Sequence, residues 1–236
     1  MSDPYVYKNT NILKNLMNIK NQDDLDDYEN TVVNLNLLRL MNEDYTIKDT
    51  LDIFDIHKQL FSDVYEWAGK ARTINIEKKE AVLDGLSVQY ETASNLNTAL
   101  KKIHELFFNK SWSSFGTTSL VYELTRYISS VCKTHPFREG NTRTVATYMF
   151  FFLKYHNYSL DEKLLRRHAA YFRNALVMAS LDEYSEYHYL EKILGDAVIH
   201  NSSSRKKTPS KSNKYDKIRD VNMENYTYNY HQQKKD

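Results

Sequence analysis

The sequence contains one cysteine, three prolines and five glycines in 236 residues. A single thiol, Cys132, excludes an internal disulfide, and nothing else implies an oxidising compartment. The shortage of glycine and proline, together with few alternating apolar runs, argues against a β-rich fold and for helices. Neither sign of charge dominates: the net charge is +1, which removes any general pull towards nucleic acid or an anionic membrane. Long apolar runs are also missing. Val145 to Leu153, interrupted by Thr147, is the longest, and it is too short to span a bilayer. The first residues lack the basic start and apolar core of a secretory signal. The expectation is a chain with no membrane span and no nucleic-acid partner, located in the cytoplasm. What is plentiful is apolar residues, 41% of the chain, enough for a real core, and tyrosine, of which there are nineteen.

The stretch from His135 to Arg143, reading His-Pro-Phe-Arg-Glu-Gly-Asn-Thr-Arg, concentrates chemistry that the rest of the chain lacks. Before it, Leu120 to Val131 has helical apolar spacing, and after it Val145 to Leu153 reads as a more deeply buried helix. Pro136 biases His135 to extended backbone, so the first helix should stop there. Gly140 and Asn141 then stand where the second should start. A helix start offers unpaired N–H groups and the positive end of the dipole, a seat for phosphate. Gly140 permits close approach of main chain to an anion, Asn141 can cap the helix or donate its amide, and Arg143 suits paired bonds to phosphate. Thr142 adds a hydroxyl and a β-branch. Glu139 is the hard oxygen ligand that Mg²⁺ takes beside substrate phosphates. His135 can accept a proton from a hydroxyl near neutral pH. Each group also has a commoner reading as an ordinary turn, cap or solvated side chain. Together they describe phosphoryl or nucleotidyl transfer.

This pattern resembles the signature of the Fic family (Fic/Doc proteins), His-x-Phe-x-Asp/Glu-Gly-Asn-x-Arg, at six positions. Phe61 to Ile76, which includes Trp67-Ala68-Gly69-Lys70-Ala71-Arg72, is similar to the segment leading into that family's β-hairpin flap. Residues 3 to 40 are similar to the helical lead-in of many bacterial members. The resemblance implies a mainly α fold, a Fic-type helical domain with a small β-hairpin flap. It implies transfer of a nucleotidyl group, AMP from ATP with Mg²⁺, to a Ser, Thr or Tyr hydroxyl of a target protein, by a bacterial toxin or effector that stays in the cytoplasm or is delivered into a host cell. His135 would be the general base and Glu139 the Mg²⁺ ligand, while Gly140, Asn141, Thr142 and Arg143 would bind the nucleotide. Thr73, Ile74, Asn75, Ile76, Lys78, Lys79 and Val82 would form the target-binding flap, by strand-to-strand pairing. A small antitoxin supplying an inhibitory helix is a further expected type of partner. Two positions depart from the family: Thr142 where Gly is frequent, and Ala146 where a second Arg is frequent. The family's inhibitory Ser/Thr-x-x-x-Glu-Gly/Asn motif is missing, because Glu29-Asn30 follows Leu25 rather than Ser or Thr. The chain is therefore expected not to inhibit itself by that device. The alternative is a catalytically weak Fic-fold module that binds a partner strand.

The expected organisation is a helical lead-in over 1–45, the Fic domain over 46–198, and a basic, partly flexible tail over 199–236. The lead-in should hold helices over 9–20 and about 24–41. Further helices are expected to about 65, then over 90–108, 160–178 and 180–198, with a hairpin around Glu77 to Val82 turning at Asp84-Gly85. A short helix is expected from Met223 to Tyr230. His57, on the helix ending near 65, reads as a satisfied core or boundary group, and Cys132 as a buried apolar residue.

Overall fold

A computed structural model describes residues 3–200, together with Tyr215 and Ile218. The tail from 201 onward, including the helix expected at 223–230, otherwise lies outside the described residues.

Eight α-helices form the domain: α1 (Gln22–Asn42), α2 (Asp52–Phe61), α3 (Leu96–Ile103), α4 (Thr117–Thr134), α5 (Asn141–Tyr155), α6 (Glu162–Arg167), α7 (Ala169–Met178) and α8 (His188–Ala197). Two short strands, β1 (Tyr158–Leu160) and β2 (Val198–His200), pair antiparallel, with Ser159 opposite Ile199. The architecture is thus mainly helical with one small two-stranded sheet among the described residues, as expected. That sheet joins the segment after α5 to the end of α8, away from the expected flap.

The helix ends follow local chemistry. Asn21 caps α1, its side chain accepting the Asp24 N–H at 3.1 Å, and Asp23 and Asp24 complement the dipole in the first turn. Asp161 caps α6 in the same way. α4 and α5 carry the centre of the core. Leu124, Tyr127 and Ile128 of α4 and Val145, Tyr148, Phe151 and Phe152 of α5 are almost wholly buried, with Trp112 and Phe61 against them. Aromatics this large dominate core energetics, and truncating one such Phe costs about 3–5 kcal/mol. The polar edges are satisfied: Thr50 Oγ1 lies 2.8 Å from Tyr127 Oη, which lies 2.6 Å from Tyr148 Oη. α1 packs on α2 and α2 on α5, while α4 touches α3, α5, α7 and α8. The helix carrying the motif is therefore gripped from several sides.

Several elements differ from the sequence reading. Residues 9–20 are not a helix. Asn9 and Asn18 adopt left-handed backbone, and the Asn15 side chain bonds Leu13 O, Ile19 O and Ile19 N, offering the chain an alternative to helical bonds. The helix expected over 160–178 is two, broken at His168. The segment 180–187 holds only a 3₁₀ turn, with Asp182 at φ 56°. Residues 77–86 double back as a tight turn rather than as paired strands. Glu80 N–H donates to Leu86 O and Gly85 N–H to Glu80 O, both at 2.9 Å, with Asp84 and Gly85 at positive φ. The Asp84-Gly85 turn is where it was expected. Val82 packs against a small apolar cluster of Leu83, Val88, Val177, Met178 and Leu181, and this side-chain burial shapes the turn.

Candidate active site

α4 ends at Thr134 as expected, but His135 follows not in the extended form expected before Pro136 but in left-handed backbone, φ 46°. That conformation is uncommon for a side chain with a Cβ and turns the chain sharply off the helix. Phe137 is fully buried, its ring stacked on His57 at 3.8 Å and edge-on to Phe54 at 5.3 Å. Asn141 locks the loop: its Oδ1 accepts the Phe137 N–H at 2.9 Å, and its Nδ2 donates to Phe137 O at 2.8 Å. The side-chain amide expected to reach phosphate is thus spent on the loop. The first-turn N–H groups of α5, at Asn141, Thr142 and Arg143, remain without intrahelical partners, as at any helix start.

Gly140 has φ +82°, and a Cβ there would lie 2.3 Å from Phe61 Cζ. Both facts demand glycine. The same conformation aims the Gly140 N–H at Glu139 Oε1, 2.9 Å away. Glu139 Oε2 stands 3.4 Å from Lys78 Nζ. Burial works against the Glu139 charge, but Lys78, the Gly140 N–H and Arg143 outweigh it and hold the carboxyl below its ordinary pKa.

His57 braces this loop from below. Gly69 N–H donates to its Nδ1 at 2.8 Å, so its Nε2 carries the proton that goes to Glu139 O at 3.1 Å. Burial lowers its pKa to about 4, keeping it neutral. The ring is a satisfied core group, as expected. His135 is 5% exposed, its ring 4.0 Å from that of Tyr90, and its Nδ1 is buried without a partner. Burial, then Lys78, lowers its pKa to about 3. At neutral pH the ring is therefore uncharged, the form that can take a proton.

His135, Arg138 and Glu139 line a cleft of about 810 Å³ together with Asp3, Thr73, Ile74, Asn75, Ile76 and Lys78. The expected base, carboxylate and first flap residues thus share one space. Lys79 is exposed and Val82 turns to its own cluster, so neither lines the cleft. Thr142 and Arg143 face a second, smaller cavity of about 230 Å³, with Ala146, Phe150, Leu37 and Met41. Arg143 does not stand open to it: its guanidinium bonds the Glu29 carboxylate and lies 4.9 Å over the Phe61 ring. Glu29, on α1, also accepts the Tyr65 hydroxyl. Residue 29, whose surrounding sequence lacks the inhibitory pattern, nonetheless reaches the motif arginine.

The donor set suits Mg²⁺ held by one carboxylate and substrate phosphates. No cluster of three or more His, Cys, Asp or Glu that could hold a metal occurs among the described residues, and Mg²⁺ commonly uses one or two carboxylates, with waters and phosphates completing the shell. Glu139 is the residue placed to serve. Sequence reasoning missed Glu29, Tyr90 and Arg72 as site residues. Arg72 lay within the quoted Trp67–Arg72 stretch, but its partners are distant in sequence.

The fold and this junction define a helical domain in which a buried imidazole, a carboxylate and the Thr73–Ile76 segment meet in one cleft at the corner between two core helices. Residues 48–153 match the Fic/DOC family model, and the chain carries a Fic domain. It is 28% identical over 165 residues to a probable protein adenylyltransferase, y4lH, of Sinorhizobium fredii, covering 70% of this chain and 82% of that one. It is 27% identical over 188 residues to the protein adenylyltransferase VbhT of Bartonella schoenbuchensis, covering 76% of this chain but only 38% of that one. In fold it resembles the N-terminal Fic domain of a VirB-translocated Bep effector of Bartonella quintana, with TM-score 0.68 and 22% identity over 84% of this chain and 93% of that one. The BepC effector of Bartonella tribocorum, solved with bound AMPPNP, gives TM-score 0.66 at 19% identity, over 84% and 97%.

Proposed function

We propose that this protein is a protein adenylyltransferase that moves AMP from ATP to a Ser, Thr or Tyr hydroxyl of a target protein. The observation that carries this is the meeting, in one cleft, of a neutral His135, the Glu139 carboxylate and the Thr73–Ile76 segment. The names of the relatives agree with it. The phosphates lie over the first turn of α5, where the N–H groups at Asn141, Thr142 and Arg143 offer partial positive charge. A target segment pairs its main chain with Ile74 to Ile76 and so presents its hydroxyl to His135. His135 takes the hydroxyl proton as the oxygen attacks the α-phosphorus; the new O–P bond forms while the bond to pyrophosphate breaks. Mg²⁺, when bound at Glu139, supplies positive charge to the phosphate oxygens. For Glu139 to serve, Lys78 releases its carboxylate. The effector named among the Bartonella likenesses agrees with a bacterial toxin or effector, cytoplasmic or delivered into a host cell; a small antitoxin supplying an inhibitory helix is a further proposed partner.

The test is transfer of label from ATP carrying ³²P at the α-phosphate to proteins of a cell extract with Mg²⁺, beside His135→Ala. Label that appears with the native protein and falls by about 100-fold or more in the variant supports the reading. Unlabelled extract, or equal labelling by both, refutes it. The competing reading, a catalytically weak Fic-fold binding module, is favoured by the Glu29 contact that occupies Arg143. ATP binding without transfer would establish it.

A further inference from the structure

Arg72 is only 2% exposed although it carries a full guanidinium. Its Nε donates to His135 O at 2.8 Å, its Nη1 to Ile74 O at 2.7 Å, and its Nη2 to Glu91 O and, at 3.4 Å, to Thr134 O. Its own main-chain N–H donates to Pro136 O at 2.8 Å. These acceptors are all main-chain carbonyls, and they come from three separate stretches: the end of α4 with the loop that follows, the Thr73–Ile76 strip of the cleft, and the segment leading to α3. A desolvated cation persists only where hydrogen bonds replace its water. The carbonyl end of α4, which carries the negative pole of the helix dipole, adds to that compensation. Arg72 does not line the cleft, so it touches neither nucleotide nor target.

We propose that Arg72 is a positioning residue that holds the His135 loop and the Thr73–Ile76 strip in one register, so that a hydroxyl delivered by the strip arrives at the imidazole. This rests on the nucleotidyl-transfer reading of the same cleft. The geometry separates it from a general structural role. The nucleotide seat is built by other contacts: Asn141 on Phe137, His57 on Glu139, and Gly140 against Phe61. Arg72 instead ties the base to the target's docking edge across 62 or more residues of chain. The planar fork matters, because one lysine ammonium is a single point of donors and cannot span carbonyls on three stretches. Loss of Arg72 therefore leaves the donor bound and misplaces the acceptor.

The experiment compares the full chain with Arg72→Ala and Arg72→Lys, reading Mg-ATP affinity by calorimetry, label transfer to extract proteins, and amide hydrogen exchange by segment. The expected result is ATP affinity within about threefold of the native protein and transfer lower by about 100-fold, the order that an ångström of misplacement costs. Millimolar guanidinium partly restores transfer by Arg72→Ala, and methylammonium does not. Exchange at 73–78 and 135–137 rises by about tenfold or more while α1 keeps its protection. If the alanine variant does not fold, the lysine variant carries the same comparison. ATP affinity falling in step with transfer, or transfer within about threefold of native in both variants, overturns the proposal. Should the native protein transfer no label, the adenylyltransferase reading has failed, and the exchange pattern decides Arg72: faster exchange confined to those two stretches keeps its bracing role, and unchanged exchange removes it.

Discussion

Replacing Gly140 by alanine tests the shape of the corner directly. Two costs add at this position. The backbone sits at φ +82°, where a residue with a Cβ is strained by about 1–2 kcal/mol. The new methyl would also stand 2.3 Å and 2.5 Å from two carbons of the Phe61 ring, and Phe61 is itself fully buried. Overpacking of this kind costs typically 1–3 kcal/mol. The sum is about 2–5 kcal/mol, or a fall in melting temperature of roughly 6–12 °C for a loss near 3 kcal/mol in a domain of this size. A thermal or urea melt measures it. The two causes separate in a double-mutant cycle with Phe61→Ala. That substitution alone should cost about 3–5 kcal/mol, but it removes the ring that the methyl strikes. The double variant should then be more stable than the sum of the singles predicts by about 1 kcal/mol or more. If Gly140→Ala melts within about 1 °C of the native protein, or the two changes add without coupling, the account of the corner is wrong.

Stability should fall on mild acidification. The folded pKa of His57 is lowered to about 4 and that of His135 to about 3, against 6.5 unfolded, in both cases chiefly by burial. Between pH 4 and 6.5 the unfolded chain binds more protons than the folded one, so stability is present above pH 6.5 and is lost as pH falls. By pH 5 each ring should account for about 2 kcal/mol. Urea midpoints at pH 7 and pH 5 check this, and His57→Gln should flatten its share; a midpoint that does not move with pH would refute it. Glu29→Gln should release Arg143 from its carboxylate partner and tighten ATP binding by about tenfold, since a hydrogen bond to a charged group contributes about 1.5–3 kcal/mol. Calorimetry reads the change, and unaltered affinity would show that Arg143 does not face the phosphates.

The corner itself was legible because its chemistry is contiguous. A helix that must stop before Pro136, a glycine at the next helix start, and charged groups within nine residues need no knowledge of the rest of the chain. The long helices were legible for the same local reason, their apolar period. What escaped was what distance in sequence hides. The Arg72 guanidinium finds its acceptors up to 63 residues away, and Glu29 meets Arg143 across 114. The short helices were misjudged where a single residue in left-handed backbone, Asn18 or Asp182, breaks a period that composition alone would continue. Asn141 was read as a helix cap or a donor to phosphate because its type allows both. Only the fold shows that both ends of its amide are occupied by Phe137.

The corner between α4 and α5 is pinned through its main-chain atoms: the carbonyls of His135, Phe137 and Glu139 and the N–H of Phe137 are each bonded by a side chain, of Arg72, Asn141 or His57. The Arg138 side chain leaves that frame for Asp3, and the Glu139 carboxylate touches it through the Gly140 N–H. The chemistry displayed there is therefore interchangeable in a way the perch is not. Glu139→Asp would withdraw the carboxylate by one methylene and Arg138 could change its charge, while the bend beneath them stayed as it is.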